Sequence, residues 1–106
     1  MADSRHTELY SRLLAFVEEH GRTPVEGVAE RGMPVSRALE FIALLESHGV
    51  PLYGLEVWRS CSVGYDLDAS SIWYCGTDLH HQYSEAREGL RVARPGPLDL
   101  VTVQFG

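Results

Sequence analysis

No lysine occurs in this chain: all nine basic residues are arginine, set against 15 acids. Positive charge is almost missing from the middle. Between Glu40 and Glu85, seven acids (Glu40, Glu46, Glu56, Asp66, Asp68, Asp78 and Glu85) face the single Arg59, while the rest of the chain holds eight charges of each sign. The net charge of -6 therefore sits in the central segment. Such a segment repels a phosphate backbone and steers a basic partner toward itself, so nucleic acid is not the expected ligand.

Long hydrophobic runs are also missing. No apolar stretch approaches the ~18 residues that cross a bilayer, and the charged start "MADSRHTELY" lacks the apolar core of a signal peptide. The expectation is a cytoplasmic chain without membrane contact. Cysteine is scarce, only Cys61 and Cys75. Without an export signal, free thiols are favoured over a disulfide, though on paired strands the two would be neighbours. The chain also lacks a phosphate-cradling glycine loop, a nucleophile elbow, internal repeats and low-complexity segments.

What is present suits one globular domain spanning residues 1–106. The chain is 44% hydrophobic and 23% charged, too apolar for a disordered polymer. Its length matches a single core.

Leu9, Leu13, Phe16 and Val17 recur at helical spacing, with Asp3 or Ser4 as N-cap and Gly21 beyond His20, predicting a helix over about 4–20. In "TPVE", Thr23 as N-cap, Pro24 at the first helical position and Glu26 at N3 form a capping box, predicting a short helix to about Arg31. "VSRALEFIALLESHG" carries Ala38, Leu39, Phe41, Ile42 and Leu45 on an apolar stripe and predicts a third helix ending at Gly49. His20 and His48 each fall in a last turn, where a histidine meets the negative end of the helix dipole.

After Pro51 the period becomes two. "LYGLEVWR" sets Tyr53, Leu55 and Val57 against Gly54, Glu56 and Trp58, as a strand with one half-polar face. "YDLDASSIWYC" reads as one interrupted strand or two short ones. "DLHHQYSEAREGLRVA" returns to helical period, with Leu79, Tyr83, Ala86, Leu90 and Ala93 inward, until "RPGP" stops it. "DLVTVQF" closes the chain as a strand with Val101, Val103 and Phe105 on one face. The expected fold class is α+β: N-terminal helices, then a small, mainly antiparallel three-stranded sheet with one further helix before the last strand.

The segment "WYCGTDLHH" gathers a thiol, a carboxylate and two histidines, Cys75, Asp78, His80 and His81. Adjacent helical residues point ~100° apart, so His80 and His81 do not converge on one ion, and Cys75-x4-His80 fits no common zinc spacing. A thiol/histidine enzyme or metalloprotein built on Cys75, His80 and His81 is the alternative to be weighed. The plainer account is a strand end, a glycine break and a helix capped by Thr77 or Asp78, with the histidines on its exposed face. Asp66 and Asp68 share a face if extended. With Glu56 across a hairpin they would form an acidic patch flanked by Trp58 and Trp73, a mixture typical of a partner-binding surface. The same acids also suit a solvated surface, or a glycosidase-like or Mg²⁺-dependent site.

The run "GVAERGMPVSRALEFIALLESHGVPLYGLEVWR", then "SSIWYCG", then "DLVTVQFG" resembles the Immunity protein 40 family of bacterial polymorphic toxin systems. Val50-Pro51 stands where that family has an Ile-Pro or Val-Pro pair after a helix. "GLEVW", Gly54 to Trp58, stands for its Gly-Gly-Asp-Val-aromatic strand, and "WYC", Trp73 to Cys75, for its second strand. The resemblance spans Thr23 to Gly106. Leu55 replaces a glycine and Glu56 an aspartate, changing how closely another backbone approaches. The resemblance implies a non-enzymatic protein without a cofactor that binds and neutralises a cognate toxin domain. Combined with the charge pattern, the expected partner-binding residues are Glu56, Trp58, Asp66, Asp68 and Trp73, with no catalytic or metal-ligating residue. The chain is expected to be a monomer or weak homodimer; pairing through an exposed last strand is a third functional alternative.

Overall fold

A computed structural model of the chain describes residues 4–74 and 81–106. Its elements run α1 (Ser4–His20), α2 (Val35–His48), β1 (Leu52–Cys61), β2 (Gly64–Tyr74), α3 (Gln82–Ala93) and β3 (Leu100–Phe105). The three strands form one antiparallel sheet in the order β2-β1-β3, and the fold is α+β as its pattern implies. None of the described helices is long and apolar enough to cross a membrane.

The apolar periodicities become the core. Ala38, Phe41, Ile42 and Leu45 of α2 are buried with Leu13 of α1, Ala86 and Leu90 of α3, and Leu55, Val57, Val101 and Val103 of the sheet. Burying each large aliphatic or aromatic side chain contributes roughly 1.5–3 kcal/mol. Phe41 stacks on Phe16 of α1 at 5.5 Å and meets Phe105 of β3 edge-on at 5.0 Å, joining three elements through one ring. Leu39 departs from its expected place: 40% of its surface stays exposed. The inward spacing 38, 41, 42, 45 places it outside that face.

The short helix expected over 23–31 is absent. Residues 23–31 form bends and a turn. Arg22 and Gly32 exchange backbone hydrogen bonds of 2.8 Å in both directions, and Gly27 sits at φ 90°. A helical run does not close its own ends this way, and the left-handed glycine breaks the helical path that Thr23 and Pro24 would start. The loop then delivers Met33 to the edge of β3, where it exchanges backbone bonds with Val101 at 2.8 Å each way.

β1 is central and its two faces differ. Leu55 and Val57 face the helices beside their partners Val103 and Val101, while Gly54, Glu56 and Trp58 share the opposite face with Gln104, Thr102 and Leu100. A register shift between Leu52 and Gly54 breaks the alternation, so Leu52 is buried in the core and Tyr53 is 48% exposed. Gly54 sits where no other residue fits well. A Cβ there would lie 2.7 Å from Tyr74 Cδ1 and 2.9 Å from the Trp73 carbonyl. Gly49, at φ 65°, ends α2 in the left-handed conformation that glycine adopts freely.

α3 begins at Gln82, with His81 at the N-cap position. Of its expected inward stripe, Ala86 and Leu90 are buried, and Tyr83 and Ala93 pack against the core. Leu79 and the proposed caps Thr77 and Asp78 lie outside the described residues.

Candidate functional site

β2 is one strand with a large interruption. Its pairing to β1 runs Gly54↔Tyr74, Leu55↔Trp73, Glu56↔Ile72, then jumps to Trp58↔Leu67. Val57 alone thus stands opposite Asp68, Ala69, Ser70 and Ser71. The surplus residues leave the ladder and form a tight polar knot. Asp68 Oδ1 accepts from the Ser70 backbone N–H at 3.1 Å and the Ser70 hydroxyl at 2.6 Å. Its Oδ2 accepts from the Ser71 hydroxyl at 3.0 Å and from Arg59 Nε at 2.9 Å.

Arg59 extends that knot across the fold. Its Nη2 donates to the Ala93 carbonyl at 2.6 Å and to Ser71 Oγ at 3.3 Å, and its Nη1 to Asp99 Oδ2 at 3.2 Å and the Arg94 carbonyl at 3.3 Å. One guanidinium therefore caps the C-terminal end of α3, where carbonyls lack helical partners and a cation meets the negative dipole end. Asp99 in turn accepts from the backbone N–H of Ser60 at 2.8 Å and of Gly96 at 2.7 Å. Planar donors in a fixed fork make arginine, not lysine, suited to this role.

The ionisation of these groups follows from their partners. Hydrogen bonds from Ser70, and then from Arg59 and Ser71, hold the Asp68 carboxyl well below the usual carboxylate range. Burial pushes Asp99 up, but the N–H groups of Ser60 and Gly96 and the Arg59 charge more than offset it, so its pKa is lowered. The bond to Asp68, foremost, raises that of Arg59. All three are fixed in their charged forms at neutral pH.

Between α3 and the β1–β2 pair lies a groove of about 620 Å³. Leu55, Val57, Ile72 and Trp73 line its sheet side; Glu85, Glu88, Gly89 and Val92 line its helix side; Arg59 and Asp68 line the end nearest the C-terminus of α3. The spacing 85, 88, 89, 92 marks a second stripe of α3, beside its core stripe. Glu85 and Glu88 are exposed, and Val92 is 66% exposed. Glu88 pairs with Arg91 one turn along at 2.5 Å.

The five residues expected to bind a partner do not share one surface. Trp73 is half-buried in the groove, and Asp68 is consumed in the knot at the groove's end. Asp66 is exposed on β2 and pairs in register with Arg59. Glu56 lies on the opposite face of the sheet, where Oε1 accepts from Gln104 Nε2 at 2.8 Å. Trp58 shares that face and is 9% exposed, its Nε1 buried without a hydrogen-bond partner among the described residues. Cys61 is exposed at the end of the hairpin, and His81 is exposed before α3. Cys75 and His80 fall outside the described residues. Among those described, no three histidine, cysteine or acidic side chains gather where they could hold a metal ion.

No protein-family model, curated protein or solved structure matches the chain. Sequence reasoning passed over Arg59 as a hub, because its partners Asp68, Ala93 and Asp99 converge only in three dimensions. It also passed over Glu85, Glu88 and Gly89. Their signal was visible as two acids one turn apart beside a mid-helix glycine that the core stripe does not use.

Proposed function

We propose that this chain is an immunity protein, which binds a cognate toxin domain of a bacterial polymorphic toxin system and blocks it without catalysing a reaction. The observation that carries this reading is the groove beside α3. Arg59 and Asp68 are spent on each other, on Asp99 and on the helix terminus, while the rest of the lining combines apolar side chains with the exposed carboxylates of Glu85 and Glu88. An apolar centre with a charged rim is the anatomy of a protein-recognition surface. The resemblance of "GLEVW" and "WYC" to the Immunity protein 40 family supports the same reading, as does the concentration of negative charge in the central segment.

On this reading the protein acts by occlusion inside the producing cell. Its negative field speeds encounter with a basic toxin face, and contacts with Trp73 and neighbouring apolar groups slow release. A toxin with a basic substrate-binding face, such as a nuclease, suits the charge. The test is co-expression with the toxin domain encoded beside it: rescued growth and a complex on size exclusion are expected. Failure of both overturns the proposal.

A further inference from the structure

We infer that the groove between α3 and the β1–β2 pair takes one kind of occupant, a protein segment that presents an arginine or lysine next to an apolar side chain. This inference rests on the partner-binding reading above and names the chemistry of that partner.

Charge complementarity is the first argument. Glu85 and Glu88 stand one turn apart on the rim, and Arg59, the only cation among the described residues that line the groove, is already matched by Asp68 and Asp99. The groove is thus net negative around an apolar floor. Glu88 is engaged by Arg91, but both side chains of that pair are more than half exposed. Water and salt screen an exposed pair of this kind, so an incoming cation displaces Arg91 at little cost. The long stem of an arginine or lysine lies on apolar surface while its head reaches a carboxylate. Trp73 and Val92, which line the groove together with Glu85 and Glu88, supply such a surface.

Gly89 is the second argument, independent of charge. It sits in the interior of α3, where glycine is less favourable than alanine. The fold does not ask for it. Its φ is not positive, and a Cβ there would meet its nearest neighbour, Trp73, only at 3.8 Å, an ordinary van der Waals contact. What the missing Cβ does provide is room over the Trp73 ring. A local rule broken without a structural need points to a functional use.

The test is an NMR titration of the ¹⁵N-labelled full chain with a short peptide of alternating arginine and leucine, set against the same peptide with glutamate for arginine. The arginine peptide is expected to shift the amides of Gly89 and Val92 and the Trp73 indole in a saturable way, and the glutamate peptide to leave them in place. Glu85→Arg should weaken that binding roughly tenfold or more, a change of about 1.4 kcal/mol. Gly89→Ala should weaken it while keeping or raising the Tm, and Gly89→Leu should weaken it further. Equal binding of both peptides, shifts centred away from the groove, or unchanged binding by Glu85→Arg and Gly89→Ala overturns the inference. Failure here is separable from failure of the immunity reading. Growth rescue that survives both substitutions removes the groove and leaves immunity standing, whereas peptide docking by a chain that rescues nothing does the reverse.

Discussion

Arg59 of β1 donates to the carbonyl of Ala93 at 2.6 Å and so ties the central strand to the last turn of α3. The same side chain holds the β2 interruption through Asp68 and the approach to β3 through Asp99. Four segments separated in sequence are thus joined by one guanidinium at the end of the groove.

Replacing that guanidinium should loosen the fold. Arg59→Met keeps the stem but takes the cation from Asp68 and Asp99 and the donors from the Ala93 and Arg94 carbonyls, at a cost of about 2 kcal/mol, given that the site is partly open to water. Arg59→Lys should recover only part of this, because one ammonium cannot reach all the acceptors. Urea denaturation of the three proteins checks the order.

Acid should destabilise the protein through the same knot. Asp68 and Asp99 both have lowered pKa values in the fold, so the unfolded chain binds more protons than the folded one as pH falls. Their contribution is complete above the unfolded carboxylate value of about 3.9 and is lost as pH drops through their lower folded values. Unfolding free energy measured from neutral pH downward should fall steeply below about pH 4, and less steeply in Arg59→Met.

Gln82 should matter more than its polarity suggests. It is 5% exposed, and its Oε1 accepts the backbone N–H of Leu52 at 2.6 Å, where β1 begins. Gln82→Ala leaves a buried donor unpaired and should cost ~1–3 kcal/mol, read from thermal unfolding.

Gly54→Ala should also destabilise, by ~1–3 kcal/mol. The added methyl would crowd Tyr74, Gln104 and the Trp73 carbonyl, all within 2.9 Å, and a backbone carbonyl yields least. Circular dichroism melting measures this. It also contrasts with Gly89→Ala, where stability should hold or rise.

Much of this architecture is legible along the chain, and the reasons divide cleanly. α1 and the core face of α2 follow from apolar spacing over many residues, and Gly49 ends α2 because only its left-handed turn completes the cap. Val101 and Val103 lie on the core face as the period of two implies, but Leu100 and Thr102 on the other face are buried as well. The segment 23–31 misleads because its local helix signals compete with backbone pairing to Gly32 and onward to Val101, contacts invisible in a short window. Tyr53 misleads because a register shift changes the parity of β1 at its first residues. The candidate site is the least legible part. Glu56 and Trp73 are drawn to opposite faces by strand register, whereas Glu85, Glu88 and Gly89 meet Trp73 only after α3 packs on the sheet.

Growth rescue by matched variants tests the central claim most directly. Cells expressing the neighbouring toxin domain receive the wild-type chain, Glu85→Arg or Tyr53→Ser, the last lying away from the groove. The account predicts that wild type and Tyr53→Ser restore growth, while Glu85→Arg, folded to the same extent by circular dichroism, does not. No rescue by any of the three, with no complex formed by the wild-type protein, would contradict it.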